Sequence, residues 1–205
     1  MFKKGSFVSI YGVDGTGKTT VVNELQKRFF KEKNNFLNFD QFEDKKLNNP
    51  YVLSKKSVIK YGSENSQFFH YIGSNIFQGD IISRFKEDGK FVVKSRWFLD
   101  IFAAFSYRGL DFIEDLKTKI PFLIPDVSVL LVVDEIERIS RIRNRKTNNL
   151  DDFDLEKVNY KKEYLRQSLK EKIYNEKNFL EIDTTNKNPG EIADIILDFC
   201  KKLNE

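Results

Sequence analysis

Gly12-Val13-Asp14-Gly15-Thr16-Gly17-Lys18-Thr19-Thr20 is the stretch on which the reading of the fold turns. It fits G-x-x-x-x-G-K-[ST], and its flanks supply the context that this pattern needs. Ahead of it Phe7 to Tyr11 form a short β-prone run; behind it Val21, Val22, Leu25 and Phe29 recur at helical spacing. Strand, glycine turn and helix in that order build a phosphate loop. The glycines permit backbone conformations that a Cβ forbids, so successive N–H groups turn inward toward phosphate oxygens, and the helix N-terminus adds its partial positive charge. On this reading Gly12, Asp14, Gly15, Thr16, Gly17, Lys18, Thr19 and Thr20 bind a nucleotide. Lys18 reaches the outer phosphates as a mobile point charge, and the Thr19 hydroxyl ligates a bridging magnesium ion, which makes ATP and Mg2+ the expected cofactors.

Working outward, 205 residues suit a single domain spanning 1–205. A net charge of +4 agrees with small anionic substrates and is too weak to argue for nucleic acid. The single cysteine, Cys200, has no intrachain partner, so a reducing, cytoplasmic setting is the default. Lys3 and Lys4 before Phe7 resemble the start of a signal peptide, but Gly12 and Asp14 interrupt the apolar run. No stretch approaches a membrane span, and a soluble protein with no membrane partner is expected.

A second strand, Phe36 to Phe39, delivers Asp40 and Glu43 to its carboxyl end, where open α/β sheets bind substrates. Either carboxylate can serve as a base or orienter toward an acceptor hydroxyl, or belong to a solvated acidic turn. From Asn65 to Lys86, Phe68, Ile72, Ile76, Ile82 and Phe85 keep a helical rhythm that Gly73 and Gly79 weaken. Tyr71, Asn75 and Gln78 fall on a neighbouring face, suited to stacking on and hydrogen-bonding a planar base or to an ordinary helix shoulder. His70 is read as packing or surface. A third strand, Phe91 to Lys94, ends in Ser95-Arg96-Trp97, where Arg96 is placed to clamp an acceptor phosphate or to stack on Trp97.

Val127 to Val133 reads as a strand buried on both faces, and Asp134 as the N-cap of a helix whose buried stripe is Ile136, Ile139 and Ile142. Arg138, Arg141 and Arg145 share another face, with Arg143 alongside and a polar stretch, Lys146 to Asn149, beyond. This pattern reads as an arginine-rich lid over about 141–153, or as a solvated basic face. A helix over Leu155 to Glu176 with Leu165 on its apolar stripe, a fifth strand over Phe179 to Asp183, and a last helix holding Ile192, Ile195, Ile196 and Phe199 complete the chain. The alternation predicts an α/β, three-layer P-loop NTPase fold: a five-stranded parallel sheet with helices on both faces.

With these residues set out, the chain resembles the thymidylate kinase family of P-loop nucleoside monophosphate kinases nearly end to end. Phe7 to Thr20 is similar to the family's opening strand and G-x-D-G-x-G-K-T-T loop; Gly89 to Arg96 is similar to the strand ending in Asp-Arg-Tyr; Arg141-Ile142-Arg143-Asn144-Arg145 looks like the lid approach. The resemblance implies that Asp14 approaches the acceptor sugar. It also implies that Gly15, where some members carry a basic residue, goes with a catalytic arginine on the lid: Arg141, Arg143 or Arg145. Three departures lie on the acceptor side. Ser95 stands in place of the aspartate, Asp40-Gln41-Phe42 in place of Arg-Glu-Pro, and Asn75, near the stacking Tyr71, where the family reads thymine with an arginine. The implied activity is transfer of the ATP γ-phosphoryl group to a nucleoside monophosphate, dTMP by resemblance, in a homodimer. A nucleoside or other hydroxyl kinase using Asp40 or Glu43 as base is the alternative, and an ATP-binding regulatory protein that has lost turnover is another.

Overall fold

The computed structural model describes residues 5–29, 35–46, 49–110, 112–117, 119–144, 161, 164–168 and 176–203. Its centre is β1 (Ser6–Tyr11), in which all six residues are buried. On either side lie β3 (Phe91–Ser95) and β4 (Val127–Val132), with β2 (Phe36–Asn38) and β5 (Phe179–Asp183) at the edges, in the order β2-β3-β1-β4-β5. Every pairing is parallel; β1 runs from Ser6 opposite Phe91 to Ile10 opposite Ser95.

The pleat sends alternate β1 residues to opposite faces, and each face is covered. Val8 and Ile10 enter a core with Val21, Val22 and Leu25 of α1 (Lys18–Arg28) and Ile192 and Ile196 of α8 (Pro189–Lys202). Phe7 and Tyr11 enter an aromatic core with Phe68 and Ile82 of α4 (Glu64–Glu87) and Leu99 and Phe102 of α5 (Phe98–Tyr107). Three further helices are α2 (Phe39–Lys46), α3 (Pro50–Tyr61, with Pro50 in its first turn and Asn49 accepting from the Tyr51 amide) and α6 (Ile113–Lys117). Cys200 is buried, and desolvation pushes its thiol up to about 12.

Four local expectations change. The second strand ends at Asn38, and Phe39, fully buried, opens α2 instead. Gly73 and Gly79 do not interrupt α4, which runs unbroken for 24 residues. A Cβ on Gly73 would come within 2.8 Å of the Tyr51 ring, so the glycine serves the close approach of α3 rather than a break. The largest change is in α7 (Glu135–Arg143). Asp134 caps it as expected, accepting from the amides of Ile136 and Glu137, but Ile136 is 81% exposed while Arg138 is only 1% exposed. Finally, Tyr164 rather than Leu165 is buried, and Ile195 is exposed. Residues 161 and 164–168 are helical, and Glu176 instead begins a 3-10 turn (Glu176–Asn178); the rest of the helix expected over 155–176, and the polar stretch 146–149, lie outside the described residues. No helix among the described residues is long and apolar enough to cross a membrane.

Two truncations separate these environments. Leu25→Ala, at a fully buried site, should cost about 2–5 kcal/mol by chemical denaturation, whereas Ile136→Ala should stay within about 0.5 kcal/mol of wild type.

Candidate active site

The loop between β1 and α1 lies at the carboxyl edge of the sheet, where open α/β folds place their ligands. Lys18, the first residue of α1, folds back over the loop: its Nζ donates to the carbonyl oxygens of Gly12 and Val13 and lies 3.3 Å from Asp14 Oδ1. Burial lowers the pKa of this ammonium, and Asp14 offsets the effect in part. Thr16 is buried and its hydroxyl donates to Val13 O, while Thr19 and Thr20, one residue into the helix and beyond, are exposed.

Arg96 reaches the same carboxylate from β3. Its Nη2 donates to Asp14 Oδ1, the oxygen that also faces Lys18. Arg96 holds φ at 64°, a conformation that costs a non-glycine residue energy and that turns its side chain out of the strand direction toward the loop. Its side chain is 59% exposed, and it does not share the environment of Trp97, which is buried edge-on against Phe7 and donates to the Leu123 carbonyl. Burial alone would raise the Asp14 carboxyl; the Lys18 and Arg96 charges override it and hold it below the usual carboxylate range. Desolvation opposes the charge on Arg96, but Asp14 and Asp100 outweigh it and keep the guanidinium strongly protonated.

A buried chain of groups lies behind this cluster. Tyr164 Oη accepts from the Gly12 amide at 2.9 Å and donates to Asp100 Oδ1 at 2.9 Å, while Asp100 Oδ2 accepts from the Trp97 amide. Burial raises the Asp100 carboxyl despite Lys18, Arg96 and these donors. Sequence reading missed Asp100, and it placed Arg138 with the other arginines of a lid or solvated face rather than in the interior against the loop. The signal for Asp100 is a lone carboxylate within the apolar run Phe98 to Phe105.

On the acceptor side, Asp40 is oriented by three donors: the Ser95 amide at 2.9 Å, Ser95 Oγ at 2.6 Å and Lys94 Nζ at 3.1 Å. Position 95 lacks a carboxylate, and Asp40 brings one to it from the first turn of α2. Glu43 accepts from Asn49 and Gln78 and lies 3.6 Å from the buried Lys94. Asn75 is buried, and its Oδ1 and Gln78 Oε1 have no hydrogen-bond partner among the described residues. Tyr71, on the same helix, packs against Phe105 with 6.0 Å between centroids. His70 is half-buried beside Tyr51, and burial lowers its pKa.

The arginines of α7 go to different places. Arg138 Nη1 donates to Asp14 O, and its Nε and Nη2 grip Glu135. Arg141 donates to Glu137 Oε1 and, through both terminal nitrogens, to Thr184 Oγ1 and O. Thr184, after β5, donates in turn to Thr16 O and Val132 O, so Arg141 is anchored to the β5 side of the loop. Arg143 is exposed, and Arg145 lies outside the described residues. Among the described residues no group of three acidic, histidine or cysteine side chains forms a metal centre.

Comparison with known proteins bears on this arrangement. No curated protein matches the chain. Among solved structures, thymidylate kinase from Candida albicans superimposes with a TM-score of 0.72 at 14% identity, covering 98% of this chain and 94% of that one. Thymidylate kinase from Ehrlichia chaffeensis gives 0.63 at 18% identity, covering 98% and 100%. The family model for thymidylate kinase matches residues 10–196. The chain belongs to the thymidylate kinase family. It is therefore a nucleoside monophosphate kinase, a phosphotransferase that binds ATP and acts on small nucleotides.

Within this thymidylate kinase family member, Glu135 offers a test of the geometry around α7. Hydrogen bonds from Arg138 first, then from Lys161, lower its pKa from 4.5 to about 2, although burial opposes them. A depressed carboxylate contributes stability above its unfolded value and loses it as the pH falls through the folded one. Urea midpoints of wild type and Glu135→Gln should therefore differ most above pH 4.5 and converge as the pH falls to about 2.

Proposed function

We propose that the protein transfers the γ-phosphoryl group of ATP to dTMP, giving dTDP and ADP. The observation that supports this reading is the meeting of Lys18 and Arg96 on Asp14 Oδ1, which sets the cation of the donor loop beside a cation suited to an acceptor phosphate. The loop amides and Lys18 would hold the ATP phosphates, and the Thr19 hydroxyl would help hold a magnesium ion, which would neutralise part of the phosphate charge. Arg96 pairs with the acceptor phosphate, and Asp14, relieved of one cation, is free to meet the sugar. Tyr71 and Asn75 of α4 meet the base by stacking and hydrogen bonding. Arg143 and Arg145 stabilise the transferring charge; Arg141 joins them only by leaving Thr184. No covalent intermediate is needed, because positioning and electrostatics carry phosphoryl transfer. The cytoplasm, with its nucleotide pools, is the fitting location. A homodimer belongs to the same reading, and the exposed Val52, Leu53 and Ile59 of α3 are apolar surface suited to one.

A second reading has its own support. Asp40, oriented by Ser95 and Lys94, is a candidate base for an acceptor hydroxyl, as a nucleoside kinase requires. A coupled ADP-release assay over nucleosides and nucleoside monophosphates separates the two. The expected result is turnover with dTMP. Turnover with thymidine and none with dTMP would sink the proposal, and binding of ATP with no acceptor-dependent turnover would point to a regulatory protein. Lys18→Ala should lower transfer by about 100- to 1,000-fold. Arg96→Ala should raise the acceptor KM by about 10- to 100-fold, the loss of a charge-assisted contact.

A further inference from the structure

We infer that Arg138 is a positioning residue of the phosphate loop, bracing the Asp14–Gly15 turn from α7 so that the loop is set to receive the phosphates of ATP. Its side chain is 1% exposed on a helix whose isoleucine at 136 faces solvent, so the helix turns inward an arginine from outside the expected isoleucine stripe. Its Nη1 donates to the carbonyl oxygen of Asp14 at 3.3 Å. Its stem lies where a side chain at position 15 would project: a Cβ there would come within 2.8 Å of Arg138 Cγ and 3.0 Å of its carbonyl oxygen.

These contacts orient one peptide plane. In a trans peptide the carbonyl oxygen and the following N–H point in opposite directions. Drawing Asp14 O toward Arg138 therefore turns the Gly15 N–H away from α7, and Gly15 accommodates the turn at φ 92°. A donor already aimed before the phosphates arrive costs no reorganisation when they bind. The brace is itself held. Glu135 receives Nε and Nη2 of Arg138, the latter at 2.6 Å, and Lys161 Nζ grips its other oxygen. The planar fork of arginine holds Glu135 along one edge and Asp14 O with the remaining nitrogen; the ammonium of lysine is a single donor centre without that fixed geometry, so it cannot reproduce two contacts spread over separate nitrogens.

The inference rests on the loop being the ATP site, so the probe is Mg-ATP titrated calorimetrically, with no acceptor present. Thermal midpoints are measured on the same samples. For Arg138→Lys and Arg138→Met the Kd should rise about tenfold or more, with lysine failing to rescue despite its charge. Glu135→Gln, at a side chain 36% exposed, loosens the brace without emptying the interior and should raise the Kd about threefold or more. Lower midpoints with Kd within about twofold of wild type in Arg138→Lys and Glu135→Gln would mean that Arg138 only packs, and would overturn the inference. Rescue of affinity by lysine would overturn it as well. If Arg138→Met does not fold, the other two variants decide. Failure of the wild type to bind Mg-ATP would overturn the ATP-site reading and this inference with it, whereas binding by wild type with unchanged variants would overturn this inference alone.

Discussion

Asp14 places one carboxylate oxygen between two cations that arrive from different parts of the chain, Lys18 from its own loop and Arg96 from the end of β3. Neither cation would stand so close to the other without it. At a separation of a few ångströms in a partly desolvated cleft, two like charges repel by several kcal/mol, and the intervening anion converts that repulsion into attraction. The arrangement depends on the parallel pairing of β1 with β3. The register that sets Ile10 opposite Ser95 brings Arg96 level with the loop, and the Arg96 amide bonds to Ile10 O at 3.1 Å. The positive φ at Arg96 is the local cost of turning the side chain across the gap.

Around that cluster the loop is held on three sides by groups remote in sequence. Tyr164, backed by Asp100, takes up the Gly12 amide; Arg138 takes up the Asp14 carbonyl; Thr184 takes up the Thr16 carbonyl. A glycine-rich segment has high conformational freedom, and these contacts restrict it before any ligand is present. The polar groups that do so are buried, which an apolar interior tolerates only because each is paired.

On the acceptor side, two departures from the family pattern meet in space. Ser95 lacks a carboxylate and Asp40 occupies a segment where an arginine is expected, yet the Ser95 hydroxyl and amide both bind the Asp40 carboxylate. The charge inventory at the end of β3 is thus maintained by a residue 55 positions away, through a contact that neither motif reveals when read alone.

The five strands, their parallel character and the phosphate loop were legible in the sequence, because they rest on local signals: β-branched apolar runs, helical periodicity and glycines at fixed spacing. The strand expected over Phe179 to Asp183 coincides with β5, and the cap at Asp134 forms as its side chain predicts. The places of Lys18 at the start of α1 and of Arg96 just after β3 were legible too, since a motif and a strand end locate them. What periodicity could not decide was which face of α7 turns inward. Isoleucine spacing favoured one stripe, but burial is set by what the neighbouring element offers, and the backbone at Gly15, with Glu135 and the Asp14 carbonyl, offers a place for a guanidinium. The sharing of one carboxylate oxygen by Lys18 and Arg96, the pairing of Asp40 with Ser95 and the links through Asp100 and Tyr164 were likewise settled only by tertiary structure. Each joins partners on different elements, and sequence spacing carries no information about a distance that strand register and helix packing create.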